Sequence, residues 1–131
     1  MIKEKSCGAV VYKKEEEKIY FLIEEMKAGH YSIPKGHVEN NETEIETALR
    51  EIKEETNLEV NLDSNFREVV SYSPYEGCIK DVVFFVAKAK TFDMKEQLIE
   101  VTSLKWLEPL DAINILTFDS DKEVLRKALK Y

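Results

Sequence analysis

Apolar positions recur at two periods along this chain. Ser6 to Lys14 and Ile19 to Met26 alternate as strands, with Glu15-Glu16-Glu17-Lys18 as a solvated turn between them. Ala28 to Lys35 reads as a loop carrying Gly29 and Pro34. Ile45, Ala48, Leu49 and Ile52 then fall at i, i+3, i+4 and i+7, which predicts a helix that buries this face. Thr43 reads as its N-cap, with Glu46 completing a capping box. The helix is expected to end near Thr56, with Asn57 in the left-handed cap position.

Further along, Glu59 to Asn65 is a short strand or loop. Phe66 to Tyr75 is a strand closing in Pro74, followed by a Glu76-Gly77 turn. In Asp81 to Lys90, Val83, Phe85 and Ala87 alternate against Val82, Phe84 and Val86, as in a strand covered on both faces. Lys105 to Leu107 predicts a last short strand and Leu110 to Leu116 a short helix. Asp119 or Ser120 caps a final helix from Asp121 to about Lys130, with Val124, Leu125, Ala128 and Leu129 facing inward. Strands outnumber helices, and the two do not alternate regularly. The expected class is α/β of the α+β kind, with a mixed sheet between helices rather than a doubly wound parallel fold. The 131 residues suit a single domain over 1–131, and no repeat or linker interrupts them.

Composition narrows the function classes. A hydrophobic content of 44% is that of a soluble globular protein. The longest apolar run, Val82 to Ala87, is too short to cross a bilayer, and no apolar signal region follows Met1-Ile2-Lys3-Glu4-Lys5. A cytoplasmic location with no membrane partner is expected. Cys7 and Cys78 make no disulfide framework; Cys7 reads as core and Cys78 as part of a turn. The net charge of −7 disfavours nucleic-acid binding. It leaves room for a small anionic substrate, because metal ions invert the local field.

The chemistry concentrates at the C-terminal end of the first helix. Glu51, Glu54 and Glu55 crowd its last turn and a half at i, i+3 and i+4. Each acid there forgoes roughly 0.3–1 kcal/mol against the helix dipole. Like charges at i, i+4 add roughly 0.2–0.5 kcal/mol of repulsion. Lys53 points elsewhere. A local rule broken this way marks a functional site, and a divalent cation held by oxygen ligands, Mg²⁺ or Mn²⁺, is the remedy that fits.

The stretch Gly36-His37-Val38-Glu39-Asn40-Asn41-Glu42, continued by Arg50-Glu51-Ile52-Lys53-Glu54-Glu55-Thr56-Asn57-Leu58, resembles the Nudix box. Gly36, Glu42, Arg50, Glu51, Ile52, Glu54, Glu55 and Leu58 match at the right spacing. Asn57 stands where the pattern has Gly; Asn also tolerates positive φ, so the cap is kept. Cys7 to Tyr12, Pro34 to Glu39, and Trp106-Leu107 with Leu110-Asp111-Ala112 are similar to the diadenosine tetraphosphate hydrolase branch of that family.

The resemblance implies an α/β/α sandwich and metal-dependent hydrolysis of a phosphoanhydride in a nucleoside polyphosphate. Diadenosine tetraphosphate, giving ATP and AMP, is the leading substrate, and the protein acts as a monomer or homodimer. Positioning and charge neutralisation dominate such chemistry. Glu51, Glu54 and Glu55 are the expected metal ligands, joined by the Gly36 carbonyl. Arg50 orients a carboxylate such as Glu42 or Glu51, and Glu42 holds the loop against the helix. The resemblance places the catalytic base in the box or on a later loop. There Glu100, six residues before Trp106, is the candidate for a catalytic or metal role and Glu96 its competitor. Lys35 and His37 are candidate phosphate contacts. Tyr72, Tyr75 and Phe118 are candidate stacking partners for adenine. Two other enzyme readings keep the chemistry: a nucleoside triphosphate pyrophosphatase and an RNA 5′-pyrophosphohydrolase. A nucleotide-sensing domain without catalysis is the non-enzyme reading, and the intact Glu51, Glu54 and Glu55 speak against it.

Overall fold

The computed structural model describes residues 1–97 and 99–131. Chain order runs β1 (Ile2–Glu15), β2 (Lys18–Met26), β3 (Tyr31–Ser32), β4 (Lys35–His37), α1 (Glu44–Thr56), β5 (Val60–Tyr72), β6 (Cys78–Ala89), β7 (Val101–Leu107), α2 (Pro109–Ile115) and α3 (Asp119–Lys130). The strands form one sheet in the order β3-β2-β1-β6-β5, with β4 paired to β1 and β7 to β2. Among the described residues only β1 and β6 run parallel; the other pairs are antiparallel.

The sheet is mixed because β1 lies at its centre and pairs with a strand from the far half of the chain. Alternation then assigns the faces. Cys7, Ala9 and Val11 of β1 and Val83, Phe85 and Ala87 of β6 pack under Ala48 and Ile52 of α1. On the other face, Val10, Val82, Phe84 and Val86 pack with Ala112, Ile113 and Leu116 around α2, and with Val124 and Leu125 of α3. The result is an α/β/α sandwich with a core on each face.

Several expectations change. Cys78 is not in a turn: it is the first residue of β6 and is buried. The stretches read as Glu59–Asn65 and Phe66–Tyr75 are one strand, β5, whose register slips between Asp63 and Glu68. That irregularity broke the alternation on which the sequence reading relied. The loop read over Ala28–Lys35 holds β3 and the start of β4. Ala48 and Ile52 are buried as expected, but Ile45 and Leu49 are exposed, and Thr47, Glu55 and Thr56 face inward in their place. The helix is rotated so that its acidic end joins Ala48 and Ile52 against the sheet. Leu129 is likewise exposed while Val124 and Leu125 are buried. Helix α3 begins at Asp119, after Phe118 as N-cap, with no side-chain cap.

Candidate active site

The site is built around both ends of α1. At its start, the Thr43 hydroxyl accepts the Glu46 N–H at 3.1 Å, and the Glu46 carboxylate accepts the Thr43 N–H at 2.9 Å. This reciprocal pair is the capping box. At its end, Asn57 adopts φ 66° and donates its N–H to the Lys53 carbonyl. The last carbonyls of a helix lack internal partners. Here the loop before β7 supplies them: Lys95 N–H donates to the Thr56 carbonyl at 3.0 Å and Gln97 N–H to that of Glu55 at 3.3 Å. The Asn57 side-chain amide donates to the Asp93 carbonyl at 2.8 Å. Capping therefore stitches this loop to the acidic end of α1 and brings Glu100 to the site.

Arg50 organises the acids. It donates to Glu42 at 2.7 and 2.9 Å, to Glu51 at 2.8 Å, to Glu54 at 3.2 Å and to the His37 carbonyl at 2.9 Å. The guanidinium beside Glu42 holds that carboxyl down at about 2. Lys53 faces away, donating to the Asn57 carbonyl. The acidic patch thus has a built-in counter-charge in Arg50. The penalty read from three unneutralised acids is smaller than the sequence implied. Gly36 completes the frame: a Cβ at this position would strike the Glu51 carboxylate, so only glycine lets the loop come so close.

A cavity of about 380 Å³ opens between these elements. Glu51, Glu54, Glu55 and Glu100 line it, and Lys35, His37 and Lys80 also face it. Glu96 does not line it. Beneath it Glu24, on β2, is buried against Glu55, and one carboxyl oxygen of each is buried without a partner. Burial, and then the charge of Glu55, pushes Glu24 well above the usual carboxylate range. Burial pushes Glu55 up to about 7. Glu24 is the more deeply buried of the two. Among the described residues no three Asp, Glu, His or Cys side chains converge on one point as placed. Arg50 draws Glu51 and Glu54 toward itself.

A second cavity of about 140 Å³ adjoins the first through Lys35, which lines both. Tyr72 of β5 and Phe118 at the head of α3 line it, with Asp121. The Phe118 ring lies 5.7 Å from that of His30. The segment before it is tied to β3, where the Tyr31 N–H donates to the Thr117 hydroxyl at 2.8 Å. Tyr75 is not brought here. It sits at the β5–β6 turn, donates to Glu4 at 3.1 Å and lines neither cavity. Cys7 is core, and burial pushes its thiol up to about 11, far from a reactive thiolate.

The model of the NUDIX domain matches residues 3–129. The chain belongs to the Nudix family. It is 34% identical over 128 residues to the Caenorhabditis elegans asymmetrical bis(5'-nucleosyl)-tetraphosphatase, covering 94% of this chain and 92% of that one. The Sus scrofa enzyme of the same name is 28% identical over 139 residues, covering 97% and 94%. A crystal structure of a C. elegans Ap4A hydrolase binary complex superposes with a TM-score of 0.88 at 32% identity, covering 97% of this chain and 96% of that one. This Nudix chain is therefore a hydrolase of that family, whose members generally use a divalent metal.

The donors of this Nudix site fit such a metal. They are carboxylate and carbonyl oxygens, which hard divalent cations prefer. Glu55 and Glu24 carry buried oxygens without partners. Glu24, Lys80 and Asp121 were not foreseen as site residues. Glu24 falls on the same side of β2 as Leu22, under α1, so strand alternation placed it inward; nothing in the sequence said that this face was covered. Lys80 is partly buried beside Lys35, and burial, then that neighbouring charge, lowers its pKa. No sequence signal links a β6 lysine to a loop lysine so far away in the chain.

Proposed function

We propose that residues 1–131 act as one Nudix hydrolase domain in the cytoplasm, cleaving a phosphoanhydride of a nucleoside polyphosphate. Diadenosine tetraphosphate is the leading substrate, and ATP and AMP the products. The carrying observation is the junction of two cavities at Lys35: one lined by acids and amines, the other by Tyr72 and Phe118. A polyphosphate fits the first and a base the second. The relatives named above, asymmetrical bis(5'-nucleosyl)-tetraphosphatases, support this substrate.

Glu51, Glu54, Glu55 and the Gly36 carbonyl, with Glu100, are the residues that would hold Mg²⁺ or Mn²⁺. When bound, the ion supplies Lewis-acid polarisation and neutralises phosphate charge. The chain's own residues do the rest. Arg50 fixes the carboxylates and ties them to the Gly36–Glu42 loop. Lys35, Lys80 and His37 bind phosphate oxygens. Glu100, held by the stitched loop, faces the cleft as the base for the attacking water. Tyr72 and Phe118 stack the base, a contact of about 1–3 kcal/mol.

The test is a nucleotide panel with Mg²⁺ scored by product. The expected result is ATP plus AMP from diadenosine tetraphosphate, at higher kcat/KM than for any nucleoside triphosphate. Preferred release of pyrophosphate from triphosphates would replace this reading with the triphosphate pyrophosphatase.

A further inference from the structure

We infer that Asp121 is a specificity-determining residue that reads the exocyclic amino group of the bound base, so that the site prefers adenine to hypoxanthine. This rests on the placement of the base between Tyr72 and Phe118 proposed above.

Asp121 lies in the first turn of α3 and is only 7% exposed. An acid in the first turn of a helix is ordinary when solvated, because it faces the positive end of the dipole. This one is largely buried. It lines the second cavity together with Tyr72 and Phe118, and with Val70, Val82 and Phe84. Among the described residues its carboxyl has no hydrogen-bond partner, and Lys35 and His30 are the basic groups that act on it. Burying a carboxyl this deeply without a hydrogen-bond partner carries a desolvation cost that these groups only partly offset.

A ligand would return it. At about 30 Å³ per water, the cavity of about 140 Å³ holds a few waters, the scale of one flat heterocycle. Tyr72 and Phe118 are exposed for large aromatics, at 45% and 52%, and so leave ring surface open to a ligand. Between such rings only the edge of a base is left to be read, and Asp121 is the acidic group of the lining. An amino group donates to a carboxyl oxygen. The carbonyl of hypoxanthine at the same place cannot, and sets two acceptors against each other. Sites built to hydrogen-bond a polar group reject analogues lacking it far more strongly than apolar pockets do.

The test compares AMP with IMP, which differ in the group at C6 and in the proton that N1 then carries, and have no anhydride to hydrolyse. Titration calorimetry with Mg²⁺ present should give about tenfold or tighter binding of AMP by the wild-type protein. Asp121→Leu should bring the ratio to within about twofold. Asp121→Asn should also narrow the ratio, because its amide can turn an N–H donor toward the hypoxanthine carbonyl. Equal binding of AMP and IMP by the wild type, or an unchanged ratio in Asp121→Leu, overturns the inference. Circular dichroism of both variants separates misfolding from lost recognition. The outcome does not depend on catalysis. A base preference without hydrolysis of diadenosine tetraphosphate would sink the proposed reaction and leave Asp121 its role.

Discussion

Arg50 decides the charge balance of the acidic patch. Its contacts with Glu42, Glu51 and Glu54 mean that removing one acid relieves little repulsion. Glu54→Gln should therefore change metal-free stability by less than about 0.5 kcal/mol in urea unfolding. It should still cut turnover by roughly two orders of magnitude or more. Arg50→Ala should lower metal-free stability and weaken metal binding by roughly 10–100-fold; metal affinity equal to wild type would remove Arg50 from the site. Asn57→Gly isolates the loop stitch. Glycine suits φ 66° but loses the bond to Asp93. Stability should stay within about 1 kcal/mol. Hydrogen exchange at the Lys95 and Gln97 amides should quicken, and kcat should fall. Unchanged exchange there would show that the Asn57 side chain does not brace the loop.

At the scale of elements, α1 is held at its head as well as its tail. Glu44 forms ion pairs with Arg67 of β5 at 2.8 Å and with Lys5 of β1, and these partners hold its carboxyl down at about 2. A depressed pKa adds stability above the ordinary carboxylate range and loses it as pH falls. Acid unfolding should thus draw on Glu44 between about pH 4.5 and 2. Glu44→Gln should be less stable at pH 7 and show a shallower loss across that window; a parallel acid profile would contradict the pairing. Strand β2 carries the opposite case. Glu24 is a buried acid against another acid. Glu24→Leu should raise metal-free stability at pH 7 by about 1 kcal/mol or more in urea unfolding. Destabilisation would mean that Glu24 has a partner in the apo protein after all.

Across the whole molecule, much of the architecture was legible because periodicity and turn chemistry agreed. The two-faced β6, the capped α1 and the buried Cys7 of β1 followed from alternation and caps. The orientation of α1 did not, because Ile45 and Leu49 are as apolar as the residues that turned inward. The sheet instead takes Thr47, Glu55 and Thr56, whose polar groups serve the site. The box residues of the cleft were legible because their spacing is fixed by one loop and one helix. The residues contributed by distant strands and by α3, Glu24, Lys80 and Asp121, were not, since the β1–β2 pairing, the parallel β1–β6 pairing and the α3 packing bring them to the site. Tyr75 was misplaced because a turn residue's direction depends on geometry that alternation does not specify. Among the described residues no helix is long and apolar enough to cross a membrane.

The central claim is that the crowded end of α1 exists to grip a divalent ion together with a polyphosphate. Mn²⁺ titration followed by electron paramagnetic resonance, with and without a non-hydrolysable ATP analogue, tests it most directly. The expected result is Mn²⁺ bound by the wild type, tighter with the analogue and weakened by about tenfold or more in Glu54→Gln and Glu55→Gln. Failure of the wild type to retain Mn²⁺ in either condition, or equal retention by both variants, would contradict it.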